Sequence, residues 1–176
     1  AKQPEVLRVF ARHYQTGEVI PQEYIDALMR SVNFMEGYAT VRQLSFGILD
    51  MAWHGKAADA YISDKKHDLI KFERKAIKAT QLYPVVDGTA LSTSFGHLFS
   101  GGYAAGYYSY KWSEMHDADA FEYFKEKGIL SREAGKHFEK EILSKGGSAP
   151  ADELYRNFRG RDANPDALLR RAGLVK

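Results

Sequence analysis

Residues 94–114 read SFGHLFSGGYAAGYYSYKWSE, which places a lone histidine and a di-glycine turn directly before a tyrosine-rich segment. Four of the chain's eleven tyrosines lie within the eight residues 103–110. A helix that began at Tyr103 would carry side chains spaced four, three and four residues apart on one face. They are Tyr103, Tyr107, Tyr110 and Glu114, while Tyr108 and Trp112 would share another face. The segment therefore predicts a tyrosine-bearing helix that runs to Lys127 and ends at Gly128.

Three phenol hydroxyls beside an imidazole form a set of hydrogen-bond donors. Together with His97 they could donate to a developing oxyanion or to a carboxylate. Core packing is the alternative interpretation, because tyrosine buries well when its hydroxyl finds a partner. Gly106 favours a functional role, since glycine inside a helix costs roughly 1 kcal/mol relative to alanine and leaves a slim face for close approach. The residue pattern by itself leaves both interpretations open.

Apolar spacing typical of helices extends outward from this segment over most of the chain. Predicted helices span residues 4–14, 21–37, 38–53, 66–82, 103–127 and 131–143, and two short ones follow from Pro150 and Asn164. Ser131 and Asn164 are the expected N-caps, with Pro165 at a first helical position. The expected core stripe of residues 38–53 is Val41, Leu44, Ile48 and Met51. With no convincing strand, the prediction is a single all-α, multi-helix domain over residues 1–176.

Residues 83–102 form a long stretch without regular periodicity between two predicted helices. Irregular segments of this length are often functional or disordered. The stretch leads directly into the tyrosine-rich segment, so we expect it to belong to the functional region.

Composition limits the function classes. The chain has 176 residues, enough for a compact domain that buries most of its apolar surface. A formal charge of only +2, with 27% charged residues, gives little reason to expect nucleic-acid binding. The sequence has no cysteine, which excludes disulfides and thiol chemistry. No apolar run approaches the roughly 20 residues of a membrane span, so membrane insertion is not expected.

Several further blocks accompany residues 94–114. They are residues 4–7, 11–21, 49–54, 142–148, 158–161, 166–169 and 173–174. In this order, over nearly the whole chain, they resemble the C-terminal catalytic half of the thimet oligopeptidase family of zinc metallopeptidases, which includes oligopeptidase A and the peptidyl-dipeptidase Dcp. The block LDMAWH, residues 49–54, is similar to the peptidyl-dipeptidase branch. The resemblance implies the C-terminal helical part of a larger, mostly helical peptidase.

The resemblance also implies a zinc site that this sequence does not contain. Family members carry HExxH on a helix, in which two histidines bind zinc and the glutamate activates water, and a later glutamate completes the site. None of the six histidines begins such a motif: His13, His54, His67, His97, His116 and His137. We therefore expect the zinc site upstream of residue 1 and a chain that is a fragment of a longer peptidase. Zinc is expected in the full-length protein, with none bound by this chain and no hydrolysis by it alone.

Roles within residues 94–114 follow from the same resemblance. Tyr110 is the expected main donor to the transition-state oxyanion, and His97 and Tyr103 are the other expected catalytic residues. The expected substrate-binding residues are Tyr107, Gly101 and Gly102. Glycine permits a positive φ and the close approach of a peptide backbone, although a plain turn at a helix start is the alternative reading of the two glycines.

Other polar groups carry weaker signals. His13 lies at the end of a predicted helix, where a positive charge interacts favourably with the helix dipole. This interpretation is favoured over a role as a metal ligand. Two clusters are His116 with Asp117 and Asp119, and Arg156 with Arg159 and Arg161. The first suggests a metal cluster, but exposed acids on a helix are the default interpretation. The second could hold a substrate carboxylate through its planar guanidinium groups, although ion pairs within the domain are the favoured interpretation.

Two hypotheses for the function follow. The first is the C-terminal portion of a zinc-dependent oligopeptidase or peptidyl-dipeptidase, whose partners are short peptides and the upstream zinc-bearing part of the same polypeptide. The alternative is a non-catalytic helical module that binds peptides or a partner on the same scaffold. Helices without their neighbours would expose apolar surface, so we expect self-association of the fragment. A cytoplasmic location is expected unless an N-terminal signal has been removed.

Overall fold

The computed structural model describes residues 2–175, and their regular structure is helical. Helices α1 to α9 span Pro4–Phe10, Gln22–Ser31, Glu36–Trp53, Lys56–Ser63, Leu69–Ile77, Ser109–Lys127, Arg132–Phe138, Ala151–Arg159 and Asp166–Arg171. Short 3-10 turns occupy Lys78–Thr80 and Gly96–Leu98, and a π-helical turn, Glu139–Leu143, continues α7. Residues 2–175 form no strand, although an isolated antiparallel bridge joins Arg12 to Val19. The all-α prediction is confirmed.

Two compact units make up the described chain. One combines residues 2–34 with 114–175, and the other is Met35–Ser113. No helix in residues 2–175 is both long enough and apolar enough to cross a membrane. The predicted single domain over residues 1–176 stays a prediction.

The core of the Met35–Ser113 unit packs α3 against the irregular segment that follows α5. The buried residues of this cluster are Leu49, Phe95, Leu98 and Tyr107. Phe46 and Trp53 pack against the same cluster, on the side of α3 that carries Leu49. Their positions, three residues before and four after Leu49, are those of one helix face. This face holds the irregular segment in place.

The predicted core stripe of α3 is wrong for most of its length. Leu44, Ile48 and Met51 are exposed, because the irregular segment covers the neighbouring face of the helix instead. These three side chains line an apolar groove of about 360 Å³ together with Tyr108. The apolar spacing correctly predicted a helix here but not which of its faces is buried.

The unit of residues 2–34 and 114–175 has its own buried set. It includes Leu7, Ile25, Ala118, Ala134, Leu154, Tyr155, Phe158, Ala167 and Ala172. Phe158 is central to the aromatic packing, with ring centroids 4.9 Å from Tyr123 and 5.1 Å from Phe138. α8 therefore supplies the main apolar face of this unit.

Side chains accept hydrogen bonds at the starts of two helices: Ser131 caps α7 as predicted, whereas α9 begins at Asp166, with Pro165 as its N-cap residue and not its first helical residue. The Ser131 hydroxyl accepts a hydrogen bond from the Ala134 N–H at 3.2 Å at the start of α7. The Asn164 side chain accepts from the Asp166 N–H at 2.9 Å at the start of α9. Each cap satisfies an N–H that has no partner inside its helix.

Other helix limits differ from the prediction. α1 ends at Phe10, because the chain turns at Gly17, whose φ is 72°, and returns to form the bridge at Arg12. α4 was not predicted, and α5 begins at Leu69 and gives way to a 3-10 turn after Ile77. The largest difference is at α6, which begins at Ser109 rather than at Tyr103.

Candidate functional site

The segment 101–108, called here the tyrosine loop, is a series of turns and not the first part of a helix. Gly101 and Gly102 have φ values of 78° and 76°, a backbone region that glycine adopts without steric cost. Ala105 also has a positive φ, 55°, which an alanine rarely adopts. The expectation that the two glycines supply positive φ is confirmed, whereas the helical face predicted from Tyr103 is wrong.

The loop nevertheless brings together the four predicted donors, called here the tyrosine cluster: His97, Tyr103, Tyr107 and Tyr110. The ring of His97 lies 5.0 Å from that of Tyr103, 5.3 Å from Tyr107 and 5.9 Å from Tyr110. Tyr103 and Tyr110 stack with centroids 5.5 Å apart and planes inclined by 13°. The cluster therefore arises from the 3-10 turn Gly96–Leu98, the tyrosine loop and the first turn of α6 rather than from helical spacing.

Two hydroxyls of the cluster, those of Tyr103 and Tyr110, belong to partly exposed side chains, at 38% and 37% exposure. The Tyr110 hydroxyl oxygen lies 3.3 Å from Nε2 of His97. A hydrogen bond with Tyr103 raises the pKa of Tyr110 above its ordinary value of 10.0. At neutral pH the hydroxyl is therefore protonated and able to donate a hydrogen bond.

Tyr107 differs from its neighbours because it is a core residue with 9% exposure. Its hydroxyl donates to Oε1 of Gln43 on α3 at 3.0 Å. Its ring packs edge-on against Phe95 and Phe46, with centroids 5.0 and 5.6 Å away. Tyr107 thus joins the cluster to the core, a packing role that stands beside its predicted contact with substrate.

A buried carboxylate that the sequence analysis did not single out holds the tyrosine loop. Asp50 of α3 is 1% exposed and accepts the N–H groups of Ala105 and Tyr107, each at 3.0 Å. Nδ1 of His54 lies 3.0 Å from the same carboxylate. The sequence does contain a hint of this role: an acidic residue stands inside the apolar run LDMAWH. A charge buried in such a run requires hydrogen-bonded partners.

A second buried carboxylate, Glu73 of α5, holds the irregular segment further upstream. It accepts the N–H groups of Leu91 and Ser92 and the Ser92 hydroxyl, each at 2.7 Å. The indole N–H of Trp53 donates to the same Ser92 oxygen at 2.9 Å. Glu73 thus fixes the irregular segment at residues 91 and 92, upstream of the 3-10 turn that carries His97.

The arginine cluster forms ion pairs, as the favoured interpretation predicted. Arg159 pairs with Glu126 at 2.6 Å and Arg161 with Asp119 at 2.8 Å. Arg156 pairs with two acids, Asp152 at 2.9 Å and Asp162 at 2.6 Å. These contacts lie within the unit of residues 2–34 and 114–175, so the guanidinium groups serve its packing.

Asp119 is fully buried, which corrects the expectation of an exposed acid. Burial acts to raise its pKa, but hydrogen bonds from Arg161 and Tyr155 outweigh burial, so the pKa lies below its ordinary value of 3.8. Burial, followed by the hydrogen bond to Asp119, raises the pKa of Tyr155. Asp119, unlike the exposed Asp117, is therefore part of an internal polar network.

The remaining histidine candidates have local roles. His13 lies beyond the end of α1, where its Nδ1 accepts the Thr16 N–H at 3.2 Å, so its predicted place at a helix end is wrong. The His116 ring lies edge-on to Tyr155, with centroids 4.9 Å apart, and Asp117 pairs with Arg171. No group of three or more His, Cys, Asp or Glu side chains in residues 2–175 is arranged to hold a metal ion. The described residues therefore do not fit a zinc site.

An all-helical chain with a glycine-rich loop and a His–Tyr donor cluster matches one family over almost all of its length. The sequence profile of peptidase family M3 matches residues 1–174, and the chain belongs to that family. This confirms the resemblance noted in the sequence.

Individual relatives agree with this assignment. The chain is similar to oligopeptidase A of Haemophilus influenzae, with 39% identity over 97% of this chain and 24% of the relative. It is similar to oligopeptidase A of Escherichia coli, with 37% identity over 98% of this chain and 25% of the relative. Dipeptidyl carboxypeptidase of Escherichia coli is 37% identical over 99% of this chain and 25% of the relative. The chain thus spans about a quarter of the length of these relatives.

Proposed function

We propose that this chain is the C-terminal portion of a zinc-dependent oligopeptidase or peptidyl-dipeptidase and supplies hydrogen-bond donors for the hydrolysis of peptide bonds. The observation that carries the proposal is the convergence of His97, Tyr103 and Tyr110 in one partly exposed cluster. Membership of peptidase family M3 supports the reaction class, and short peptides are the proposed substrates.

Tyr110 is the proposed principal donor. Its hydroxyl is already oriented by His97 and Tyr103, so little reorganisation is needed when negative charge develops on a carbonyl oxygen. Tyr103 and His97 then hold Tyr110 in place or donate to the same charge. The stacked rings of Tyr103 and Tyr110 limit the rotation of both phenols.

Gly101 and Gly102 are proposed to let an extended substrate pass close to the loop backbone. A Cβ placed on Gly102 would meet no atom within 4 Å, so the space beside this residue is open. Tyr107, held by its hydrogen bond to Gln43, is proposed to contact the substrate as well. The adjacent apolar groove of α3 gives the same region a surface for apolar side chains.

The metal chemistry belongs, in this proposal, to an upstream part of a longer polypeptide. Two observations support the division: residues 2–175 hold no suitable ligand group, and the chain spans only a quarter of its relatives. The chain alone is therefore proposed to hydrolyse no peptide. A cytoplasmic location is proposed as well, and one relative from Arabidopsis thaliana is named a probable cytosolic oligopeptidase A.

Hydrolysis of a quenched fluorescent peptide in the presence of zinc tests this proposal. The two proteins compared are this chain and a version extended upstream through the expected HExxH region. Activity is expected only in the extended protein, and Tyr110→Phe should lower its kcat by about 10²–10³-fold, because one preorganised donor is lost. Tyr83→Phe is the matched control, since Tyr83 is exposed and belongs to the same unit but not to the cluster.

Two outcomes would contradict the proposal. Chelator-sensitive hydrolysis by the short chain would show that it contains a metal site of its own. An extended protein that binds peptides without cleaving them would favour the alternative, a non-catalytic peptide-binding module.

A further inference from the structure

We propose that Asp50 is the positioning residue of the tyrosine cluster, acting through the backbone of the tyrosine loop. Asp50 lies within α3 between the buried Leu49 and the groove residue Met51, and its own side chain is buried. A charge so completely removed from water is retained only where hydrogen bonds replace its hydration. Asp50 obtains two of these bonds from the tyrosine loop.

Each carboxylate oxygen has its own backbone donor. Oδ1 accepts the Ala105 N–H and Oδ2 accepts the Tyr107 N–H, both at 3.0 Å. The two donors are two residues apart along the loop, so they fix both its position along α3 and its direction. Within residues 101–108, the turn between them has only a short backbone bond of its own, Gly106 N–H to Tyr103 C=O at 2.8 Å.

The anchored residues connect directly to the cluster. Tyr107 carries one of the two N–H groups, and its ring lies 4.9 Å from that of Tyr110 and 5.3 Å from that of His97. Ala105, which carries the other, is held at its unusual positive φ. Loss of either bond would free the turn that sets where Tyr103 stacks on Tyr110.

Glu73 offers a matched comparison within the same unit. It is also a buried carboxylate on a helix, and it also accepts two backbone N–H groups from the irregular segment. Its partners are Leu91 and Ser92, outside the tyrosine loop. Both carboxylates need hydrogen-bond donors because they are buried. Only Asp50 accepts its donors from the loop that positions the tyrosine cluster.

Asp50→Asn is the informative variant because it preserves shape. An amide oxygen can accept only on one side, and the new NH₂ would face a backbone N–H on the other. In the 176-residue chain, NMR should show fast amide exchange at Ala105 or Tyr107 and loss of the ring contacts between His97 and Tyr110. Glu73→Gln should speed exchange at Leu91 or Ser92 and leave those ring contacts unchanged.

The unmodified chain gives an independent check should Asp50→Asn fail to fold. The Ala105 and Tyr107 amides should exchange as slowly as amides of the buried part of α3. Fast exchange of both in the unmodified chain would overturn the inference. Ring contacts that persist in a folded Asp50→Asn variant, or that are lost equally in Glu73→Gln, would also overturn it.

The consequence for catalysis rests on the proposed function. In the extended protein, Asp50→Asn should lower kcat by about 10²-fold with little change in KM, because displaced donors act mainly on the transition state. Glu73→Gln should leave the ratio of kcat to KM near that of the unmodified protein. An unmodified extended protein without activity would refute the proposed function only, and the exchange data would still decide the role of Asp50. An active protein with unchanged kcat in Asp50→Asn would refute the positioning role alone.

Discussion

Asp119 shows how one buried carboxylate organises the surroundings of α6. Its oxygens accept the Tyr155 hydroxyl at 2.6 Å and the guanidinium of Arg161 at 2.8 and 3.0 Å. Arg159 lies within 3.5 Å and pairs bidentately with Glu126. Removal of a single partner from such a set leaves other buried polar groups without a counterpart.

Asp119→Asn should therefore destabilise the chain by about 3–5 kcal/mol, the cost of breaking a buried ion pair from one side. Urea denaturation at neutral pH measures the loss. Asp162→Asn is the control, since its pair with Arg156 is exposed and should contribute less than about 1 kcal/mol. Equal effects of the two substitutions would contradict a special role for the buried site.

The lowered pKa of Asp119 also predicts a dependence of stability on pH. Because the folded-state pKa lies below the unfolded value, this carboxylate stabilises the fold above the unfolded pKa. The stabilisation should be lost as the pH falls from about 4 through the folded pKa. Urea midpoints measured across acid pH should decline less in Asp119→Asn than in the unmodified chain, and parallel declines would refute the assignment.

Only part of this chemistry could be predicted from the sequence. Ion pairs of the arginines near residue 160 could be predicted, because this block lies well downstream of the tyrosine-rich segment. The burial of Asp119 could not be predicted, since spacing along α6 does not show that Tyr155 of α8 and Arg161, two residues beyond the end of α8, cover it. The roles of Asp50 and Glu73 were missed for the same reason: the backbone N–H groups that they accept lie at least 18 residues away in sequence.

At the start of α6, a hydrogen bond to a distant side chain competes with the local formation of a helix. A helix from Tyr103 would require the Tyr107 N–H to bond to the Tyr103 carbonyl. The N–H instead donates to Asp50, and Gly106 takes the Tyr103 carbonyl. The alanines and tyrosines of the loop permit a helix locally, but a buried charged acceptor is the stronger partner. By contrast, α7 begins where its local Ser131 cap predicted.

The glycines of the tyrosine loop give a prediction at this level. Gly102→Ala should lower stability by about 1–2 kcal/mol, since alanine at positive φ brings its Cβ close to the following carbonyl. Gly37→Ala is the control, because Gly37 lies inside α3 with open space around its Cβ position and alanine favours the helix. Thermal unfolding of both variants should show opposite shifts, and a stabilising Gly102→Ala would contradict the observed loop conformation.

For the molecule as a whole, the blocks of sequence that resemble the peptidase family were the strongest guide. They correctly indicated both the helical class and the family, whose profile covers residues 1–174. They did not indicate which face of α3 is buried, because helical periodicity alone does not show which segment packs against the helix. Leu44, Ile48 and Met51 were therefore predicted to be in the core, but they line an exposed groove.

The exposed apolar side chains of this groove predict self-association of the isolated chain. Sedimentation velocity over a range of concentrations should show a mass that rises above that of the monomer. The double variant Leu44→Lys, Met51→Lys should shift the chain toward monomer, because charge opposes burial of the groove. Leu130→Lys is the control, since Leu130 is exposed in the other unit. A monomer at every concentration would contradict the prediction.

The near-parallel packing of Tyr103 on Tyr110 has an optical consequence. Two phenol chromophores held in a fixed, close and chiral arrangement couple their electronic transitions, which gives circular dichroism in the near ultraviolet. Such bands disappear when aromatic rings lose their fixed packing, even where the helices remain. With no disulfide to absorb in the same region, the near-ultraviolet signal reports, without any label, on the fixed packing of the chain's aromatic rings, this tyrosine pair among them.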